Sequence, residues 1–91
     1  MKTLPHGVSR YSRSPEFSED SVPEKLRSSH RTNEKTWAKI VVLEGALRYR
    51  ILEPEVWETD LTPERPGIVE PGVAHEVEAV GKVRFFVEFY H

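Results

Sequence analysis

From Thr36 onward, hydrophobic and polar residues alternate with a period close to two. The run Trp37-Ala38-Lys39-Ile40-Val41-Val42-Leu43 is aromatic and β-branched, the composition of a central strand ending near Glu44. From Ala46 to Leu52, Leu47, Tyr49 and Ile51 alternate with Arg48 and Arg50, so one face is dry and the other wet. Glu44-Gly45 separates the two runs and predicts a hairpin around Gly45. Glu53-Pro54-Glu55 predicts the next turn. Val56 to Leu61 alternates less regularly, with Trp57, Thr59 and Leu61 on one side, and residues 62–67 form a proline-bounded loop. Ile68-Val69 then runs into a Pro71-Gly72 corner, with His75 just past it and an alternating run to Val80. Small antiparallel barrels often place a ligand at such a corner. Gly81-Lys82 predicts a further tight turn. In the last run, Val83, Phe85, Val87 and Phe89 share one face, and Arg84, Phe86, Glu88 and Tyr90 the other. Aromatic rings on both faces predict a strand covered on both sides.

The first third reads differently. Residues 1–24 are rich in Ser, Pro, Arg and Glu, with Tyr11, Phe17 and Val22 as large apolar anchors. They predict an extended arm with turns at Ser14-Pro15 and Val22-Pro23, because a residue before proline avoids the helical basin. Such an arm lies along the body or reaches across to a second copy of the chain. Lys25 to Thr32 predicts a short strand, and Asn33-Glu34-Lys35 a polar turn. Seven or eight short strands at about ten-residue spacing, without a helical stretch, predict an all-β sandwich or barrel. The organisation expected is an arm over 1–24 and a β-barrel over 25–91.

Composition narrows the function classes. A formal charge of −2 leaves little with which to neutralise a phosphate backbone, so nucleic acid is not expected as a partner. No apolar run approaches the roughly 18 residues of a membrane-spanning helix. The start, Met1-Lys2-Thr3-Leu4-Pro5-His6-Gly7, has no apolar core of a signal peptide. A cytoplasmic setting fits a chain with no cysteine. Any metal must then be held by nitrogen and oxygen, and the histidines number four. There is no Gly-x-Ser-x-Gly elbow, no phosphate-binding glycine loop and no glycine turn opening a helix, so no nucleotide cofactor is expected.

Two segments match known motifs. His30-Arg31-Thr32, Trp37-Ala38-Lys39 and Val42-Leu43-Glu44-Gly45 together resemble the first conserved motif of a cupin, and residues Val69 to His75 resemble the second. The order from Ser14-Pro15-Glu16-Phe17 to Phe85-Phe86-Val87-Glu88-Phe89-Tyr90 resembles the small cupin-like domain of the tellurite-resistance protein B family, over roughly residues 4–91. That domain occurs alone or ahead of a methyltransferase domain acting on tellurite and selenite, and this chain resembles the form without it. The resemblance implies a double-stranded β-helix, or jelly-roll, with a pocket inside. It also implies a divalent metal such as zinc, iron or nickel. His30 would stand for the histidine of the first motif and His75 for that of the second, with Glu78 and Glu88 as acids near them. The chain departs from the pattern in several places. Thr32 stands where the first motif has its second histidine, the step from Pro71 to His75 is one residue short, Ala38 replaces a glycine, and Ala74 an aromatic residue.

The chemistry permits two readings of these residues. A catalytic divalent ion wants about three protein ligands and an open position, which His30, His75 and one of Glu78 or Glu88 would supply. Strict alternation puts Glu78 on the face opposite His75 unless a bulge intervenes. Glu88 shares its face with Arg84, Phe86 and Tyr90 and suits a salt bridge equally well. The alternative is that His30 and His75 are hydrogen-bonded structural residues at a barrel mouth. His6 and His91 are expected to be bystanders, Trp37 and Trp57 core or pocket-lining rings, and Arg48 and Arg50 exposed. Two functions follow. One is a module that binds a metal, small molecule or oxyanion as a sensor, carrier or accessory domain in oxyanion or oxidative stress. The other is a small metalloenzyme of the oxygenase, isomerase or hydrolase kind. A barrel this small, with an arm to exchange, also predicts a homodimer.

Overall fold

Two long strands, β3 (Trp37–Ile51) and β6 (His75–Tyr90), form the spine of the computed structural model, which describes residues 2–91. They pair antiparallel from Trp37↔Tyr90 to Ile51↔His75. Around this ribbon stand β1 (Arg10–Arg13), β2 (Phe17–Ser18), β4 (Trp57–Leu61) and β5 (Gly67–Val69). The result is one six-stranded sheet in the order β1-β6-β3-β4, with β2 added to β6 and β5 to β3. Strands β1, β2 and β5 attach to the half of the ribbon that ends at Tyr90, and β4 to the half that begins at His75.

The hairpin expected at Gly45 and the tight turn expected at Gly81-Lys82 are both replaced by bulges. The runs on either side of Gly45 pair with β6, not with each other. Leu43 has no partner across the ribbon, and Val80 and Val83 face consecutive residues of β3, leaving Gly81 and Lys82 as insertions. Extra residues in one strand bend it and increase its twist, and here both strands bend at one place, folding the ribbon over. Gly45 makes the crossing possible. Its φ is +81°, and a Cβ there would lie 2.0 Å from the Lys82 carbonyl oxygen. Strand merging also explains why six strands appear among the described residues where seven or eight were expected.

The inserted Leu43 changes the phase of β3. Before it Ala38, Ile40 and Val42 are buried, and after it Leu47 and Tyr49 are. Side chains alternate faces with period two, so one extra residue is what keeps both runs turned inward. The two-residue insertion in β6 preserves phase, and Val77, Val83, Phe85 and Val87 all point into the same core. That core contains residues from both halves of the ribbon. The all-β, cupin-like architecture read from the sequence is the one observed, although among the described residues the ladder runs from β1 to β4 without returning on itself.

Residues 25–32 do not form the expected strand. Glu24–Arg27 is a 3-10 turn, closed by the Leu26 amide donating to the Pro23 carbonyl at 2.9 Å. Proline presets φ for such a turn, and Ser29, at φ +34°, breaks the extension that would follow. Only His30 of this segment joins the sheet, as an isolated bridge to His75. In the region expected to be an arm, β1 and β2 pair with β6 of their own chain. The Arg13 guanidinium lies 3.9 Å from the centre of the outward-facing Phe86 ring and covers it. Arg48 and Arg50 face outward, as expected, and pair with Glu58, Asp60, Glu76 and Glu78. Trp37 is half-buried and Trp57 is 40% exposed, so neither ring is part of the core. No helix among the described residues is long and apolar enough to cross a membrane.

Candidate ligand-binding cavity

The corner that opens β6 is built by local chemistry. Gly72 takes φ +70°, a left-handed conformation that glycine enters without steric penalty. The Val73 amide donates back to the Glu70 carbonyl, and the Ala74 amide to the Glu53 carboxylate at 3.3 Å. Glu53 in turn receives a two-pronged contact from Arg31, whose guanidinium also donates to the Gly72 carbonyl at 2.8 Å. Arg31 thereby clamps the segment carrying His30 against the corner carrying His75.

Backbone pairing completes the approach. The His30 amide donates to the His75 carbonyl at 2.7 Å, and the His75 amide to the His30 carbonyl at 2.9 Å. Residues opposed in this way project to the same face of a sheet. The two imidazoles meet edge to face, with centroids 5.4 Å apart at 76°. The His75 ring also sits 6.0 Å from that of Tyr49, whose hydroxyl donates to the Ile68 carbonyl. His75 is 3% exposed, and its Nδ1 lies 3.1 Å from the Val73 carbonyl oxygen. A carbonyl can only accept, so Nδ1 carries the proton and the neutral ring keeps a lone pair on Nε2.

Both rings line a cavity of about 170 Å³ inside the fold. Ile40, Val69, Val77, Phe85, Val87 and Phe89 form apolar walls, and Phe17, Pro23, Lys25 and Leu26 bring the N-terminal segment against it. The hydrophobic face of the last strand was legible in the sequence and pointed here. Lys25 and Leu26 were expected in a strand, because a 3-10 turn has too short a pattern to read. The Arg31–Glu53 clamp was equally silent, its partners being far apart in the chain.

Burial pushes the His75 imidazole below its ordinary value. The Val73 carbonyl works the other way and the neighbouring His30 reinforces the fall. Burial and then the Lys25 ammonium push His30 down as well. Both folded values therefore lie below the unfolded imidazole value of 6.5. Below that pH the unfolded chain takes up protons that the folded chain refuses, so stability falls as pH drops. The Glu16 and Glu53 carboxyls, held down by Arg84 and Arg31, add their losses below 4.5. Urea midpoints are expected to decline between pH 7 and pH 5.5, and His75→Gln to flatten that interval. A wild-type profile that is level there would contradict the assignment.

The four residues expected to hold a metal divide into two groups. His30 and His75 come together. Glu78 does not join them, because the β3–β6 register runs without interruption from His75 to Val80 and alternation turns its side chain outward, 3.8 Å from Arg48. Glu88 is on the outer face too, accepting from Arg10 at 2.7 Å and from the Tyr90 hydroxyl at 3.0 Å. Burial raises its carboxyl, but those two hydrogen bonds outweigh it and the net shift is downward. Among the described residues no group of three or more His, Asp or Glu side chains is placed to hold a metal ion. Two imidazoles without a carboxylate fall short of the donor set that a catalytic divalent ion requires. Neither His6 nor His91 lines the cavity, and His91 lies against Tyr11 with ring centres 3.9 Å apart.

Comparison with known proteins gives consistent matches. The family model described as the TehB-like domain matches residues 12–87. The probable S-adenosyl-L-methionine-dependent methyltransferase TehB of Haemophilus influenzae is 34% identical over 74 residues, which are 77% of this chain and 26% of that protein. The crystal structure of Haemophilus influenzae TehB superposes with a TM-score of 0.85 at 31% identity, covering 93% of this chain and 32% of the other. A structural-genomics structure of an Escherichia coli K12 protein superposes with a TM-score of 0.89, covering 100% of this chain and 97% of that one, and at 16% identity it speaks to the fold alone. The chain spans about a quarter of the length of the curated relatives it matches.

Proposed function

The chain belongs to the TehB-like domain family, and we propose that it works as a ligand-binding module whose interior cavity holds a small molecule or oxyanion between His30 and His75. One observation carries this reading: two imidazoles far apart in the chain are brought to the same face of one backbone-paired bridge, and both line a partly open, mainly apolar cavity. Small-ligand sites have this composition, a hydrophobic wall with a few placed polar groups. The donor set favours binding over turnover. A divalent ion such as zinc, iron or nickel would find two nitrogen ligands here, and the rest of its shell would have to come from the ligand or from water. In this reading the domain acts as a sensor, carrier or accessory unit in handling an oxyanion, and the methyl transfer named for the TehB relatives is not a task of these residues.

The test is equilibrium binding and thermal shift of the purified protein with tellurite, selenite, pentanoate, zinc(II) and nickel(II). At least one of these is expected to bind and to raise the melting temperature. His30→Ala, at a half-buried position that the core does not depend on, is expected to weaken that binding by about tenfold or more, the effect of losing one polar contact to a charged or coordinating group. Binding that is unchanged in His30→Ala, or absent for every probe, would sink the proposal.

A further inference from the structure

We propose that the ligand of this cavity is a small anion with an apolar body, of the short-chain carboxylate class; this rests on the cavity being a binding site, as argued above. The chain has 15 acidic residues and 13 Lys and Arg, yet no Asp or Glu lines the cavity, whereas Lys25, His30 and His75 do. The charges felt by the imidazoles are also cationic: Lys25 acts on His30, and His30 on His75. The acids nearest along β6 are turned outward and engaged elsewhere, Glu76 with Arg50, Glu78 with Arg48 and Glu88 with Arg10.

This imbalance selects the sign of the ligand. A cation brought into a low-dielectric interior needs a counter-charge, and none faces it here, so its desolvation would go unrepaid. An anion meets the Lys25 ammonium and the His30 ring, which can donate a hydrogen bond. Apart from Ser14 and Thr32 the remaining wall is aromatic and aliphatic, so most of the rest of the ligand must be apolar. A volume of about 170 Å³ is close to that of a cavity of about 150 Å³ that holds benzene, room for a ligand of about that size, such as a five-carbon carboxylate. A bare inorganic oxyanion would leave the apolar wall without a partner.

A charge series tests this. Pentanoate, 1-pentanol and pentylamine have chains of the same length and differ in their head groups. Calorimetric titration of the full chain at pH 7 is expected to rank pentanoate first, about tenfold or more above pentylammonium. Lys25→Glu, at an exposed position, is expected to leave the circular dichroism spectrum unchanged and to erase or reverse that ranking. Equal or tighter binding of pentylammonium would overturn the inference, as would an unaltered ranking in Lys25→Glu. If pentanol binds as tightly as pentanoate, the anion class falls while the cavity survives as a binding site. If none of the three binds, this inference is lost, and binding of tellurite, selenite or a metal then decides separately whether the cavity is a site at all.

Discussion

Gly45→Ala is expected to destabilise the protein by about 3 kcal/mol or more, enough to leave much of the chain unfolded or insoluble. Two terms add. The residue has φ +81°, and a side chain in the left-handed region costs about 1–2 kcal/mol. A Cβ would also lie 2.0 Å from the Lys82 carbonyl oxygen and 3.1 Å from the Val83 Cα. Those are backbone atoms of the opposing strand, which cannot swing away as a side-chain end would. Relieving the clash means separating β3 from β6 where the ribbon folds over, and core residues lie on both sides of that fold. Gly81 provides the control. Its φ is +68°, but nothing lies within 4 Å of the added Cβ, so Gly81→Ala should show the conformational term alone, about 1–2 kcal/mol. Urea unfolding followed by circular dichroism distinguishes the two. Equal losses in both variants would mean that the close crossing at Gly45 is not what the fold depends on.

Phe85→Ala is expected to cost about 3–5 kcal/mol, the range for removing a buried aromatic ring. Phe85 is fully buried, packs on Phe17 with ring centres 5.5 Å apart and forms part of the cavity wall. Its neighbours line the cavity on one side, so fewer side chains surround the site to collapse into the gap. The upper part of the range is therefore expected. Leu43→Ala, at the solvent-facing bulge and 41% exposed, should stay within about 0.5 kcal/mol. A surviving Phe85→Ala protein should also accept longer carboxylates than the wild type, since the removed ring enlarges the cavity it lines. Tryptophan fluorescence from Trp37 and Trp57 reports both unfolding midpoints. A loss below about 1 kcal/mol for Phe85→Ala would show that the ring contributes little to the core.

The pattern of side chains along the chain made the architecture legible. Leu47, Tyr49 and Ile51 against Arg48 and Arg50, and Val83, Phe85, Val87 and Phe89 against Arg84 and Glu88, state locally which face of a strand is dry. Such alternation is a property of neighbours in sequence, so it needs no knowledge of the partner strand. The corner at Pro71-Gly72 was readable for the same reason. The glycines at 45 and 81 misled because a positive φ serves a hairpin and a bulge equally well. What distinguishes the two is the strand that pairs on either side, and that is a long-range fact.

The binding site divides along the same line. Sequence by itself determined an all-β shell and the inward faces of its strands, because side-chain alternation is local and residues an odd number of positions apart lie on opposite faces. That no bulge brings Glu78 round to His75 is a fact of the strand register. Only the tertiary structure decided that His30 and His75 share one bridge, that Arg31 clamps them together, and that no carboxylate accompanies them into the cavity. Those outcomes depend on chain segments more than forty positions apart in sequence closing on one another, and the energy that brings them together is spread over a whole core and is not written in any one of its residues.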